Sequence, residues 1–263
     1  MAVFRAILVA LVGLSRALSL DLNSPNYTAD GIVNSADNRP GPLAPNTIAS
    51  LYGVRLSYVT RGLTPDDIRG GLLPTVLPGT GVRVLVGNMP AGIYYVSATQ
   101  INFLVPANLL PGPSTVQVVL DAHSGPLVKI MLQSASPELF QLDAQHAVAV
   151  RPDGSPITPD SPAHPGDIAI LYATGLGQTV PPIPYGQICT EAAPLNQMSD
   201  FKLLLDGTKA SEEYVQYAGV APGFAGLYQL NILLPKSIQP NPEIRIGLGD
   251  AMSITGLHLP VDQ

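Results

Sequence analysis

Histidine and carboxylate side chains are the residues most able to do chemistry, and here their spacing matches no catalytic or metal site. The four histidines are far apart in the sequence, and none has a second metal ligand beside it. They are His123, His146, His164 and His258. The acidic pairs Asp66–Asp67 and Glu212–Glu213 are adjacent, whereas the carboxylates of a hydrolytic pair face each other across a cleft. Surface histidines and a solvated acidic edge are therefore favoured, and no metal or cofactor is expected.

Three aspartates in one proline-rich segment are candidates for a calcium site, because calcium prefers oxygen ligands. They are Asp153, Asp160 and Asp167. Their spacing matches no calcium-binding loop, so turn-forming or solvated aspartates are favoured. The chain also lacks a phosphate-binding loop, a His-Glu-x-x-His zinc motif and, after residue 19, a nucleophile elbow. An enzyme is therefore not expected, and an unusual site between domains stays the catalytic alternative.

Aromatic side chains carry the remaining binding signal, with ten tyrosines, five phenylalanines and no tryptophan. Exposed aromatic faces bind sugars and peptides, and tyrosine is a favoured anchor. Tyr217, Phe224 and Tyr228 flank a segment rich in glycine and proline at 219–226. These three residues are candidate ligand contacts, because loops on a rigid scaffold often carry binding. The favoured interpretation is that they plug the end of a domain, since glycine beside an aromatic ring permits close backbone packing.

Composition excludes several classes of protein. Hydrophobic residues make up 46% of the chain and charged residues 12%, which suits a sizeable core rather than a disordered segment. The formal net charge of −6 disfavours binding to nucleic acid. A single cysteine, Cys189, permits neither a disulfide framework nor a four-cysteine zinc site. We expect its thiol to be partly accessible in the segment Gln178–Asn196; a buried inert thiol and pairing between molecules are the alternatives.

The chain contains an internal repeat. Leu43–Tyr52 matches Ala163–Tyr172 at an offset of 120 residues, and Gln100–Pro106 matches Gln229–Pro235 at an offset of 129. The change in offset places an insertion of nine residues near 219–226 in the second copy. Two copies are too few for a solenoid, so two tandem domains of one fold are predicted.

Short runs rich in β-branched and aromatic residues fill each copy, separated by glycine and proline. No segment carries apolar residues at helical spacing over three turns. Pro106 and Pro235 suit strand ends, because proline cannot donate to a β-ladder. The sequence therefore predicts an all-β protein of two tandem immunoglobulin-like β-sandwiches. We assign them to residues 20–135 and 136–263, the second with a loop insertion near 219–226.

Asn102 and Asn231 occupy the same position in the two copies. The period of two along a strand places Ile101 and Phe103 on the core face and Asn102 on the other face. Asparagine is a poor strand former, so its presence twice needs a further reason. We predict that its amide bonds the backbone of a crossing loop; contact with a ligand is the alternative.

Several motifs carry a resemblance to a known family. They are Val33–Ala36, Pro42–Pro45, Ile48–Gly53, Tyr95–Pro106, Leu171–Gly177 and Tyr217–Asn231. From Gly31 onward the chain resembles the uncharacterised C-terminal domain family of secreted acidobacterial proteins, whose halves are similar to immunoglobulin-like domains of the IPT/TIG type. The resemblance implies secretion and a non-catalytic module, and it supplies no active site.

These observations predict a secreted, non-catalytic module with a role in surface adhesion, matrix or assembly scaffolding. Its expected partner is a protein or polysaccharide at the cell exterior, and no transmembrane segment or nucleic-acid partner is expected. The alternative is a carbohydrate-binding module that assists a polysaccharide-degrading enzyme. A row of exposed aromatic side chains on one sandwich face would favour that alternative.

Residues 1–19 predict a secretory signal. Arg5 precedes an apolar run at Ala6–Leu14, and Ala17 and Ser19 are small residues at the positions that a signal peptidase reads. A buried N-terminal strand or helix is the alternative. We predict export with cleavage after Ser19, so the intact mass of the exported protein should give an N-terminus within a few residues of that site. A mature soluble form that retains its first residue would contradict this prediction.

Overall fold

The computed structural model describes residues 23–262, so the predicted signal at residues 1–19 lies outside the described residues. The described part of the chain contains strands and four short 3-10 helices but no α-helix. The 3-10 helices are Ala29–Gly31, Pro65–Asp67, Met198–Asp200 and Glu212–Tyr214. The all-β prediction is therefore confirmed. Within residues 23–262, no helix is long and apolar enough to cross a membrane.

The first domain, residues 23–132, consists of two antiparallel sheets. Its strands are β1 (Ile32–Asn34), β2 (Ile48–Tyr52), β3 (Arg61–Gly62), β4 (Val82–Val86), β5 (Met89–Pro90), β6 (Gly92–Val96), β7 (Gln100–Leu104), β8 (Gly112–Leu120), β9 (His123–Ser124) and β10 (Val128–Leu132). One sheet has the order β1-β2-β7-β6-β3, and the other has the order β10-β8-β4-β5 with β9 paired to β8.

The second domain, residues 135–262, also consists of two antiparallel sheets. Its strands are β11 (Glu138–Leu139), β12 (Ala149–Val150), β13 (Pro156–Ile157), β14 (Ile168–Thr174), β15 (Ala193–Pro194), β16 (Phe201–Leu205), β17 (Thr208–Lys209), β18 (Val215–Val220), β19 (Tyr228–Leu233), β20 (Ile244–Leu248) and β21 (Ala251–Met252). The sheet orders are β13-β12-β14-β19-β18-β15, with β11 paired to β14, and β17-β16-β20-β21.

Each domain has its own hydrophobic core, formed where the inner faces of its two sheets meet. In the first domain, Phe103 from one sheet and Val118 from the other are buried in the same cluster. Leu230 and Ile246 meet in the same way in the second domain. Two facing antiparallel sheets of this kind form an immunoglobulin-like sandwich, which confirms the predicted fold. The domain boundary predicted after residue 135 stays a prediction.

Equivalent strands of the two domains carry the same irregularity. β6 pairs with β7 through a bulge between Ile93 and Tyr95, and β18 pairs with β19 through a bulge between Val215 and Tyr217. The connection after the bulged strand spans residues 97–99 in the first domain and 221–227 in the second. The second connection lies where the insertion was predicted but is four residues longer rather than nine. We call this connection, residues 221–227, the inserted loop.

The two domains pack against each other through apolar contacts and direct hydrogen bonds. Leu73 and Leu104 of the first domain are buried in one cluster with Ala225 of the inserted loop. The backbone N–H of Ile48, at the start of β2, donates to Oγ1 of Thr174, at the end of β14, over 2.9 Å. The inserted loop is therefore part of the domain interface.

A buried carboxyl group lies close to this interface. Glu138 on β11 is 9% exposed, and its Oε2 accepts a hydrogen bond of 3.1 Å from the backbone N–H of Ile254. Burial raises the pKa of Glu138 from 4.5 to about 8, and the Ile254 N–H opposes that rise. Asp37 raises the pKa further, whereas Arg39 and Arg245 lower it. Glu138 is therefore mainly protonated in the folded protein at neutral pH.

Glu138 makes the stability of the protein fall as pH rises. The native state holds the proton up to about pH 8, whereas the unfolded side chain releases it near 4.5, so the free energy of unfolding declines through this window. Glu138→Gln keeps an acceptor for the Ile254 N–H and removes the charge. It should raise the free energy of unfolding by on the order of a few kcal/mol at about pH 9 and leave it unchanged at about pH 4. Urea unfolding at both pH values measures the change in the free energy of unfolding. An equal change for Glu212→Gln, an exposed control, would contradict the prediction.

Candidate binding cleft between the domains

A cleft of about 390 Å³ lies where the outer sheet face of the first domain meets the second domain. It is lined by Ser35, Asn38, Ile48, Ser50, Tyr52, Tyr94, Gln100, Asn102, Phe140, Phe224 and Leu227. The lining combines aromatic rings, amides and hydroxyl groups, and none of these residues carries a charge. We call it the interdomain cleft.

The floor of the interdomain cleft is built by the two-residue period of β2 and β7. Leu51 and Ile101 point into the core and are fully buried, so their neighbours face outward. The register places Ser50 opposite Asn102 and Tyr52 opposite Gln100. Side chains that are directly opposite on one face of a sheet lie within contact distance. A polar patch therefore forms without disturbing the core beneath it.

Hydrogen bonds order this polar patch. Asn102 Oδ1 accepts from Gln100 Nε2 over 2.9 Å and from Ser50 Oγ over 3.2 Å. Ser50 Oγ also lies 2.8 Å from Ser35 Oγ, which extends the chain of bonds to β1. Within the described residues, Asn102 Nδ2 and Gln100 Oε1 have no hydrogen-bond partner. The patch therefore presents a free amide NH2 group as donor and a free amide oxygen as acceptor to the cleft.

The prediction that Asn102 and Asn231 bond the backbone of a crossing loop is wrong. Asn231 Oδ1 accepts instead from Gln229 Nε2 over 2.8 Å, the same bond that joins Gln100 to Asn102. The two asparagines lie on the outer faces of their sheets and are partly exposed. Their amides therefore order a surface rather than anchor a loop.

Aromatic rings form the walls of the interdomain cleft. Tyr52 is 39% exposed, and its hydroxyl donates to Asn38 Oδ1 over 2.8 Å, which fixes the ring. Phe224 is 48% exposed and has no polar group to hold it. Tyr94 lies on the bulged strand β6, and its hydroxyl donates to the carbonyl oxygen of Ala225. Burial raises the pKa of Tyr94, so its hydroxyl stays protonated as a donor.

The position of Phe224 is fixed by the backbone of the inserted loop. The backbone N–H of Gly223 donates to the carbonyl oxygen of Cys189 over 2.6 Å, and the N–H of Cys189 donates to the carbonyl oxygen of Phe224 over 3.1 Å. On the opposite side, Thr174 Oγ1 donates to the carbonyl oxygen of Gly226 over 2.8 Å. These bonds hold the loop so that the Phe224 ring stands over the first domain.

Of the three site residues predicted from the sequence, one lines the interdomain cleft and two do not. Phe224 lines the interdomain cleft. Tyr228 is fully buried, and its hydroxyl donates to the carbonyl oxygen of Gly177, so it presents no surface to a ligand. Tyr217 is partly buried, and its hydroxyl donates to the carbonyl oxygen of Val220 over 2.8 Å. Both tyrosines therefore support the strands that carry the inserted loop.

Cys189 is buried, which corrects the expectation of an accessible thiol. Its side chain belongs to the core of the second domain, and its Sγ donates to the carbonyl oxygen of Glu191. The sequence does not indicate this burial, because contacts with residues distant in the sequence hold the segment Gln178–Asn196 against both domains. Its Tyr185 hydroxyl, for example, donates to the carbonyl oxygen of Pro90 over 2.8 Å.

The other candidate sites offer less chemistry. Among the described residues, no three histidine, cysteine or acidic side chains are grouped to hold a metal ion. Asp153 Oδ1 accepts hydrogen bonds from the backbone and hydroxyl of Ser155, as a turn-forming aspartate does. A larger groove of about 560 Å³, between Pro111 and Ala251, contains no aromatic side chain. The interdomain cleft is therefore the candidate site.

Comparisons with known proteins leave the family open. No protein-family model and no curated protein matches this chain. Among solved structures, it is similar to SGBP-B of a mixed-linkage glucan utilization locus in Bacteroides ovatus, solved with a mixed-linkage heptasaccharide, at 9% identity and a TM-score of 0.36. That match covers 91% of this chain and 46% of the other, so the chain spans about half of its length.

Two further structures show a similarly distant likeness. The surface glycan-binding protein PbSGBP-B of Prevotella bryantii matches at 10% identity and a TM-score of 0.26, over 89% of this chain and 42% of the other. Domains 5–6 of the S-layer protein SbsC match at 10% identity and a TM-score of 0.28, over 90% and 98%. At these TM-scores the likeness supports no functional conclusion.

Two glycines of the inserted loop provide a test of how closely it packs on the first domain. Gly223 and Gly226 both have positive φ, at +88° and +71°. A Cβ at Gly223 would meet nothing within 4 Å, whereas one at Gly226 would collide with Leu104 Cδ1 and lie 2.7 Å from the Asn46 carbonyl oxygen. Gly226→Ala should therefore lower the free energy of unfolding by about 1–3 kcal/mol more than Gly223→Ala, because only it overpacks the interface. Urea unfolding of the two variants measures the difference, and equal losses would contradict the packing described here.

Proposed function

We propose that this chain is a secreted, non-catalytic binding module whose interdomain cleft binds a neutral oligosaccharide. The observation that carries the proposal is the composition of the cleft, where exposed aromatic rings stand beside free amide donors and acceptors on an uncharged floor. Surface adhesion or attachment to a matrix is a role that such binding would serve. This proposal favours the carbohydrate-binding alternative over a protein scaffold.

The chemistry of a sugar fits this lining. A sugar hydroxyl donates one hydrogen bond and accepts others, so it can pair with both Asn102 Nδ2 and Gln100 Oε1. The apolar face of a sugar ring can stack on exposed aromatic side chains such as Tyr52 and Phe224. Small-molecule sites combine apolar walls with a few placed polar groups in the same way.

The charge of the site selects for a neutral ligand. No arginine or lysine lines the interdomain cleft, so an acidic polysaccharide would find no countercharge there. The chain as a whole carries a formal charge of −6, which repels polyanions. A neutral polyhydroxylated ligand avoids both penalties.

The lining also supports binding without hydrolysis. Cleavage of a glycosidic bond ordinarily uses two carboxyl groups that flank the bond. The residues that line the cleft include no aspartate or glutamate. Two predictions from the sequence support the secreted and non-catalytic parts of the proposal. They are the signal at residues 1–19 and the resemblance to the acidobacterial C-terminal domain family.

Binding should depend on the ring of Phe224. Screening the protein on an array of neutral oligosaccharides, followed by calorimetric titration of the strongest binder, should show specific binding. Phe224→Ala should weaken that binding at least about tenfold, because the wall loses its stacking face. The matched control is Tyr58→Ala, which removes an aromatic ring that is 66% exposed and does not line the cleft.

Two results would overturn the proposal. The first is that no neutral glycan binds to the protein, even if a peptide or a protein does. The second is that Phe224→Ala binds the same glycan as tightly as the wild type does, whereas Tyr58→Ala binds that glycan more weakly. Both variants must unfold at a temperature close to that of the wild type for these affinities to be compared.

A further inference from the structure

The outer face of the second domain repeats the polar patch of the cleft floor. Tyr172 on β14 is opposite Gln229 on β19, as Tyr52 is opposite Gln100 in the first domain. Gln229 Nε2 donates to Asn231 Oδ1 over 2.8 Å, and the equivalent bond in the first domain measures 2.9 Å. Tyrosine, glutamine and asparagine therefore recur with the same register and the same hydrogen bond.

The second patch also has unused hydrogen-bonding groups. Within the described residues, Gln229 Oε1 and Asn231 Nδ2 have no partner, as is true of their counterparts in the first domain. Tyr172, Gln229 and Asn231 are all partly exposed. Packing does not require these residue types on an outer face, so their identity in both copies points to a shared surface role.

Residues that neighbour the second patch line the interdomain cleft. Phe140, which lines the cleft, follows β11 and donates its backbone N–H to the carbonyl oxygen of Tyr172 over 2.9 Å. Leu227, which also lines it, shares the alternation of Gln229 and Asn231. The cleft is therefore bordered by outer-face residues of both domains.

Strand geometry gives the length of this surface. The end of β14 meets the start of β2, where the N–H of Ile48 bonds Oγ1 of Thr174. From Tyr172 to Thr174 and from Ile48 to Tyr52 the strands rise by about 3.4 Å per residue, so the two tyrosines lie up to about 25 Å apart along the path. A single sugar ring cannot reach both patches, but a chain of several can.

We propose that the two patches and the interdomain cleft form one extended groove that binds a linear neutral polysaccharide along its length. This inference rests on the proposed function and adds the second-domain subsite of Tyr172, Gln229 and Asn231. Linking two subsites through one ligand strengthens binding without any change in either subsite. Long ligands should therefore bind more tightly than short ones.

The test uses the linear glucan, mannan, xylan or galactan that binds on the array. Its oligosaccharides, from the disaccharide to the octasaccharide, are each titrated into the protein by calorimetry. The wild type should gain at least about tenfold in affinity between the shortest binding ligand and the octasaccharide. The double variant Gln229→Ala/Asn231→Ala should lose that gain and keep the affinity for the short ligand. Gln100→Ala/Asn102→Ala should weaken binding of both, and Gln145→Ala, an exposed glutamine outside the groove, should weaken neither.

Failure of this inference is distinct from failure of the proposed function. Equal affinity of short and long ligands for the wild type, or an undiminished length gain in Gln229→Ala/Asn231→Ala, would overturn the extended groove and leave the cleft as a short-ligand site. Absence of binding to every neutral glycan would overturn both. Thermal unfolding within a few degrees of wild type shows that the substituted surface residues leave the fold intact.

Discussion

The hydroxyl of Thr174 is the contact on which the geometry of the interdomain cleft depends. It is fully buried, accepts the backbone N–H of Ile48 over 2.9 Å and donates to the carbonyl oxygen of Gly226 over 2.8 Å. A hydroxyl has one donor and two acceptor positions, so one group serves both domains and the inserted loop at once. Leaving a buried N–H or carbonyl unpaired is costly, which holds these three parts in one arrangement.

Rigid support explains how an apolar ring can remain exposed over a polar floor. Phe224 would gain by covering itself, because burial of a phenylalanine side chain is favourable. Its loop is prevented from collapsing by bonds to Cys189 on one side and to Tyr94 and Thr174 on the other. The exposed ring is therefore held in place by the backbone on either side of it, which is the preorganisation that lowers the entropy lost on binding.

The sequence predicted the two sandwiches and part of the site. The rest of the site depends on which strands pair and in what register, and a local sequence pattern does not contain that information. Alternation along β7 correctly placed Ile101 in the core and Asn102 outside. The same alternation in β19, where Tyr228 and Leu230 share the buried face, could have placed Tyr228 in the core. Pairing of Tyr52 with Gln100 depends on the register between strands distant in sequence, which no local pattern specifies.

The difference between the two copies, rather than their likeness, makes the site concave. An outer sheet face presents groups such as Ser50 and Gln100 but leaves a ligand open to water above them. The inserted loop is longer in one copy only, and it carries Phe224 across to the face of the other domain. Gly226 permits this close crossing, because a side chain there would collide with Leu104. A cleft that can cover a ligand therefore forms at the junction of the domains, where one copy closes over the other.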